Sequence, residues 1–152
     1  MADKEYTISQ TGECHCGAVA FKAEGKQIFN VYCHCKNCTR NRGVSPIHLI
    51  AVGPASGFQI TKGQDKITTV GTTVLRNFCK DCGCVVNQGP VGMDFTAVLP
   101  TTFKLDGPLP EDYKPRAHTN YESRMLDMKD GLPKFKEFPP GPMMADDGAI
   151  LA

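Results

Sequence analysis

The residues able to do chemistry in this chain are its eight cysteines, and they fall into three tight clusters. These are Cys14-His15-Cys16, Cys33-His34-Cys35-Lys36-Asn37-Cys38 and Cys79-Lys80-Asp81-Cys82-Gly83-Cys84. An even cysteine count can also mean a disulfide framework in a small exported domain. The first residues, however, are acidic where a secretory leader would be basic, and no apolar run precedes Cys14. No stretch approaches the roughly 20 apolar residues that cross a bilayer. The expectation is therefore a cytoplasmic protein with no membrane partner, whose reduced thiols hold zinc.

Cys79-Lys80-Asp81-Cys82-Gly83 has the form of a zinc knuckle, a tight turn that brings two thiolates to one metal. Two thiolates cannot close a tetrahedral site with bonds of about 2.3 Å, so two more must come from elsewhere. Cys14 and Cys16 are the natural complement, which gives a structural site of Cys14, Cys16, Cys79 and Cys82. The middle cluster supplies Cys33, Cys35 and Cys38, one ligand short of closure. Three protein ligands and an open fourth position are the pattern of a catalytic zinc. Cys84 leaves two readings open. As a fourth ligand it would close the second site and make the protein a binding module with two structural zincs. As a buried small thiol it would leave the site open. Three thiolates around Zn²⁺ leave a net charge of about −1, which damps the acidity needed to make hydroxide. A substrate thiol in the fourth position suits such a soft site better. Lys36, Arg40 and Arg42 place positive charge beside it for a carboxylate-bearing thiol.

The elements that must position these groups read as strands. Val19, Phe21 and Ala23 alternate with Ala20, Lys22 and Glu24, the period of a half-buried strand. Stretches 28–32, 47–52, 66–78 and 95–99 are rich in β-branched and aromatic residues, and Gly-Pro and Ser-Gly turns punctuate them. The pattern predicts a mainly β fold. A short helix is expected over Lys36–Arg42, closed by Gly43 in the left-handed region, and a second near Ser123–Lys129. Residues 1–138 read as a single zinc domain, and 139–152, rich in proline and glycine, as an extended or mobile tail. The net charge is +1, from 17 Lys and Arg against 16 Asp and Glu, with no basic run to mark a nucleic-acid partner.

His15 and His34 each lie between two cysteines, where an extended backbone turns the middle side chain away from its neighbours' metal. His15 reads as a surface group, and His34 as the candidate for proton transfer beside the open zinc. His48, in an apolar run, reads as a core or pocket-wall residue.

Taken together these residues resemble the glutathione-dependent formaldehyde-activating enzymes, a family that shares its domain with centromere protein V. The likeness runs from Gly12 to about Pro139. Its landmarks are 12–19, Cys33 to Cys38 with Gly43, 76–83, His118 and 130–135. It implies a β-tent of antiparallel sheets with one four-cysteine structural zinc and one three-cysteine catalytic zinc. It also implies carbon-sulfur lyase activity, in which glutathione as co-substrate and formaldehyde combine reversibly as S-hydroxymethylglutathione. Arg76, three residues before Cys79, is a candidate for a glutathione carboxylate or for bracing the knuckle. The chain has no tryptophan, and it offers Tyr121, Met125 and Leu126 where many members carry one, which leaves the aldehyde open.

Overall fold

A computed structural model describes residues 4–152. Along the chain run β1 (Thr7–Glu13), β2 (Ala20–Cys33), α1 (Lys36–Arg42), β3 (Ile47–Gly53), β4 (Phe58–Lys62), β5 (Ile67–Val70), β6 (Val74–Cys79), β7 (Val85–Pro90), β8 (Thr96–Val98), β9 (Ala117–Thr119), β10 (Lys134–Phe135) and β11 (Met143–Met144). The protein is mainly β, with one α-helix and several single 3₁₀ turns among the described residues. Among the described residues no helix is long and apolar enough to cross a membrane. It divides into two compact units: the chain up to Phe29 with Ile50–Lys114, and Asn30–Leu49 with Pro115–Ala152.

In the first unit, β1 and the start of β2 form an antiparallel hairpin, with Thr7 opposite Lys26 and Glu13 opposite Ala20. β4 pairs with the other edge of β2. The alternation works as the sequence predicts: Phe21 and Ala23 are buried, while Lys22 and Glu24 face solvent. The apolar stretch 66–78 is not one strand, because Gly71, at φ 121°, turns it into the hairpin β5-β6. β7, β8 and the second half of β3 continue the antiparallel run. Ile8, Val19, Phe21, Ile50, Val52, Val86 and Val98 pack with Cys14 and Cys79 into one core. Two of the ligand candidates therefore sit within the apolar cluster that holds this unit together.

Gly63 links β4 to the next turn at φ 79°, and a Cβ there would overlap the Ala18 carbonyl oxygen. Ala18 lies in the loop that carries Cys14 and Cys16, so the close approach braces that loop. Gly63→Ala combines left-handed strain with a backbone clash, and the expected loss is roughly 3 kcal/mol in chemical denaturation.

In the second unit the end of β2 pairs in parallel with β9, Val31 opposite Ala117 and Cys33 opposite Thr119. β9 pairs in parallel with β10, and β10 antiparallel with β11. The sheet is thus mixed, its parallel ladders being β2-β9 and β9-β10. α1 forms where expected, starting from Cys35 as its N-cap and ending at Gly43, φ 67°, whose N–H returns to the Thr39 carbonyl at 2.8 Å. The second expected helix does not form. A single 3₁₀ turn covers Tyr121–Ser123, and the Tyr121 hydroxyl then captures the Met128 N–H at 2.8 Å while donating to the Asp146 carbonyl at 2.6 Å. A side chain thus takes the backbone donor that a helix would use. Beyond Pro139 the chain forms β11 and turns back on itself over 145–148, so that Met144, buried, bridges Ile150 and the Leu151 N–H bonds to the Met143 carbonyl.

Candidate metal centres

Cys14 and Cys16 occupy the turn between β1 and β2. The Cys14 N–H bonds to the Val19 carbonyl at 2.9 Å and its carbonyl accepts the Gly17 N–H at 3.1 Å. Gly17 takes φ 78°, which lets the turn fold back tightly enough for the Val19 N–H to point at the Cys14 Sγ, 3.3 Å away. The knuckle between β6 and β7 is built the same way. Cys79 donates its N–H to the Cys84 carbonyl at 2.9 Å and accepts the Gly83 N–H at 2.7 Å, with Gly83 at φ 75°.

The Sγ atoms of Cys14, Cys16, Cys79 and Cys82 all lie within 4.8 Å of one another. Cys14 and Cys16 are 3.7 Å apart and Cys16 and Cys79 3.8 Å. A tetrahedron with metal-sulfur bonds of about 2.3 Å has edges of about 3.8 Å, so these spacings fit a zinc-sized ion. Burial resists loss of the Cys82 proton, but the N–H groups of Cys84 and Cys16 and the neighbouring thiols outweigh it and pull the group down to about 6. A thiolate is the form that a metal takes.

Cys33, Cys35 and Cys38 form the second group, again with every Sγ within 4.8 Å of the others. Among the described residues no fourth Cys, His, Asp or Glu joins them, and Cys84 belongs to neither group. All eight cysteines are free of disulfides. Cys33 ends β2, Cys35 caps α1 and Cys38 lies on its first turn, so one strand-to-helix junction presents all three. The Cys38 N–H returns to the Cys35 carbonyl at 3.0 Å. Hydrogen bonding from Cys33, and then the N–H groups of Cys38 and Asn37, draw Cys35 down to about 5 against its burial. Cys33 moves the opposite way, since its S–H donates hydrogen bonds to the Cys35 and Cys38 sulfurs and burial disfavours the thiolate. This group too could hold a metal ion.

Around it stand residues whose arrangement differs from the sequence expectation. His34 is 1% exposed, and its Nε2 meets His118 Nδ1 at 2.8 Å. His118, fully buried, continues through Nε2 to Asp130 Oδ2 at 2.6 Å. Asp130 Oδ1 receives the Lys134 ammonium at 2.9 Å and the Leu132 N–H at 3.1 Å. Lys134, 2% exposed, also reaches Asp146 at 3.0 Å. Burial raises the Asp130 carboxyl, but hydrogen bonds from Lys134, His118 and Leu132 prevail and hold it down to about 2. Burial, and then the nearby His118, push His34 down to about 4. By sequence, residues 130–133 look like a packing turn alone, and nothing in the local pattern links them to His34. Asn120, in the left-handed region at φ 53°, turns its amide to the Cys33 Sγ at 3.6 Å.

The remaining candidates are spread out. Arg40 and Arg42 lie on the last turn of α1, Arg40 exposed and Arg42 half-buried. Arg76 is buried on β6 opposite Gln88, in the first unit, whereas the three-cysteine group belongs to the second. His48 contacts Asn30 Oδ1 at 2.6 Å and lies with its ring tilted against Tyr32 at 5.5 Å, and burial lowers it to about 4. His15 is exposed.

A mainly β scaffold carrying a four-thiol and a three-thiol group defines a class of cysteine-rich proteins suited to binding metal. Within that class the chain belongs to the glutathione-dependent formaldehyde-activating enzyme family, whose model matches residues 9–123. It is also similar to the crystal structure of a Rhodobacter sphaeroides protein solved as a Northeast Structural Genomics target. The identity is 23%, the TM-score 0.55, and the match covers 72% of this chain and 99% of that one. That likeness is one of fold.

Proposed function

We propose that the protein is a zinc-dependent carbon-sulfur lyase that forms and cleaves adducts of glutathione with a small aldehyde. The observation that carries this reading is the three-thiol group at Cys33, Cys35 and Cys38, with no fourth donor among the described residues. Zinc held there would supply a soft acceptor for the substrate sulfur and stabilise it as thiolate. The four-thiol group would hold a second, structural zinc. In the cleavage direction the adduct O–H gives up its proton, its electron pair forms the aldehyde C=O, and the C–S pair leaves on sulfur. His34 is the group we assign to that hydroxyl proton. Asn120 steadies Cys33 through its amide contact at 3.6 Å. Lys36, Arg40 and Arg42 on α1 supply positive charge for the glutathione carboxylates.

The test is metal content and sulfur coordination by X-ray absorption, with and without glutathione, alongside turnover of S-hydroxymethylglutathione. The expected result is two zincs per chain, one of which gains a fourth sulfur when glutathione is added, together with measurable cleavage. Two zincs each held by four protein sulfurs and indifferent to glutathione would instead describe a non-enzymatic binding module.

A further inference from the structure

The line of groups from Asp130 through His118 to His34 has a direction. Asp130 Oδ1 already accepts from Lys134 and from the Leu132 N–H. Its Oδ2, as part of a carboxylate, can only accept, so the 2.6 Å contact requires the proton on His118 Nε2. In neutral imidazole the other nitrogen is then bare, and His118 Nδ1 must accept across the 2.8 Å contact. The proton there belongs to His34 Nε2, which leaves His34 Nδ1 as a lone pair. That atom is fully buried and meets no hydrogen-bond partner. Buried polar atoms without partners are rare and call for an explanation. This one sits on the residue between two members of the three-cysteine group. The ring itself is held: it packs edge-on against Tyr121 at 5.2 Å, and Tyr121 is fully buried and anchored through its hydroxyl to the Asp146 carbonyl.

We propose that Asp130 and His118 are positioning residues that fix His34 as its Nε2–H tautomer, so that His34 Nδ1 accepts a hydrogen bond from the hydroxyl of the thiol-aldehyde adduct. The inference rests on the lyase reading above and names the residues that prepare its acceptor. Lys134 is part of the device, because it pins one oxygen of Asp130 and leaves only the other for His118.

That pinning makes the proposal testable with one atom changed. In Asp130→Asn the amide oxygen must stay where Lys134 and Leu132 donate, so the NH₂ turns to His118 Nε2. His118 must then accept there and carry its proton on Nδ1, which in turn moves the His34 proton to Nδ1. Imidazole nitrogen shifts of the ¹⁵N-labelled, zinc-loaded protein report both tautomers. The wild type is expected to show Nε2–H at both histidines, and Asp130→Asn to show both reversed. The probe for function is S-hydroxymethylglutathione. Its kcat is expected to fall roughly 10- to 100-fold in the variant, the range for groups that orient another residue, while KM stays within about threefold. A wild-type His34 protonated on Nδ1, or a doubly protonated His118, overturns the proposal. Reversed tautomers with kcat within about threefold of wild type overturn it as well, and the lyase reading then stands without it. A wild type inactive on the adduct sinks the lyase reading and the positioning role together, while the spectra still decide the tautomers. Should Asp130→Asn fail to fold, His34→Phe keeps a ring against Tyr121 and removes the acceptor, and it must lower kcat at least as far.

Discussion

Cys79→Ala is expected to leave the protein unable to fold stably, an effect it shares with loss of any other member of the four-thiol group. The side chain is fully buried in the core of the first unit, and its sulfur lies 3.8 Å from that of Cys16. Truncating a buried thiol alone costs a few kcal/mol at most. Loss of a zinc held by the four thiols would cost more. Ligands some sixty positions apart in sequence come together only in the folded chain, so the free energy of binding is also free energy of folding. For structural zinc that is about 10 to 16 kcal/mol, against a typical total stability of about 5 to 15 kcal/mol. Losing one of four thiolates forfeits most of it. Circular dichroism after refolding with zinc should show no cooperative transition for Cys79→Ala, whereas Cys84→Ala, outside both groups, should unfold within about 1 kcal/mol of wild type. A cooperative transition for Cys79→Ala close to that of wild type would mean that the four-thiol group does not staple the fold.

Much of this architecture is readable from the chain because it is local. A Cys-x-x-Cys turn followed by Gly declares a knuckle, and Gly83 indeed takes the left-handed conformation that such a turn needs. The same holds for α1, where Gly43 marks the stop. The pairing of the two cysteine groups is also accessible, since two ligands at one turn demand two more. What escapes is non-local. His34 and His118 are 84 residues apart, and no periodicity in either segment announces that a parallel ladder will set their rings 5.0 Å from each other. Parallel pairing leaves no hairpin turn to read. Lys134 gives no signal in the sequence, because a lysine beside Pro133 looks solvated until two aspartates close on it. The missing helix after Ser123 has the same origin: its competitor is the Tyr121 hydroxyl, a tertiary contact that propensity does not contain.

Cys35→Ala should separate folding from function. Cys35 is half-buried at the N-cap of α1, outside the apolar core that contains Cys14 and Cys79. The cap it makes is a weak one, a sulfur facing the N–H groups of Asn37 and Cys38, so an alanine removes little from the helix itself, about 1 kcal/mol. In a chain of this length that is a shift of roughly 2 to 4 °C in Tm. The consequence for the metal is different in kind. Two remaining thiols, Cys33 and Cys38, cannot hold a zinc against competing water and buffer. The thiol lost is also the one that the Cys33 thiol and two helix N–H groups hold down to about 5. Zinc content is expected to fall from two per chain to one, the response to glutathione to vanish, and turnover of S-hydroxymethylglutathione to disappear, all in a folded protein. Cys38→Ala should behave alike, because the three sulfurs act as one set. Retention of the second zinc by Cys35→Ala would mean that another donor completes the group, and continued turnover by a one-zinc protein would move the chemistry away from it. A folded, one-zinc, inactive variant instead ties the thiol chemistry to the junction of β2 and α1.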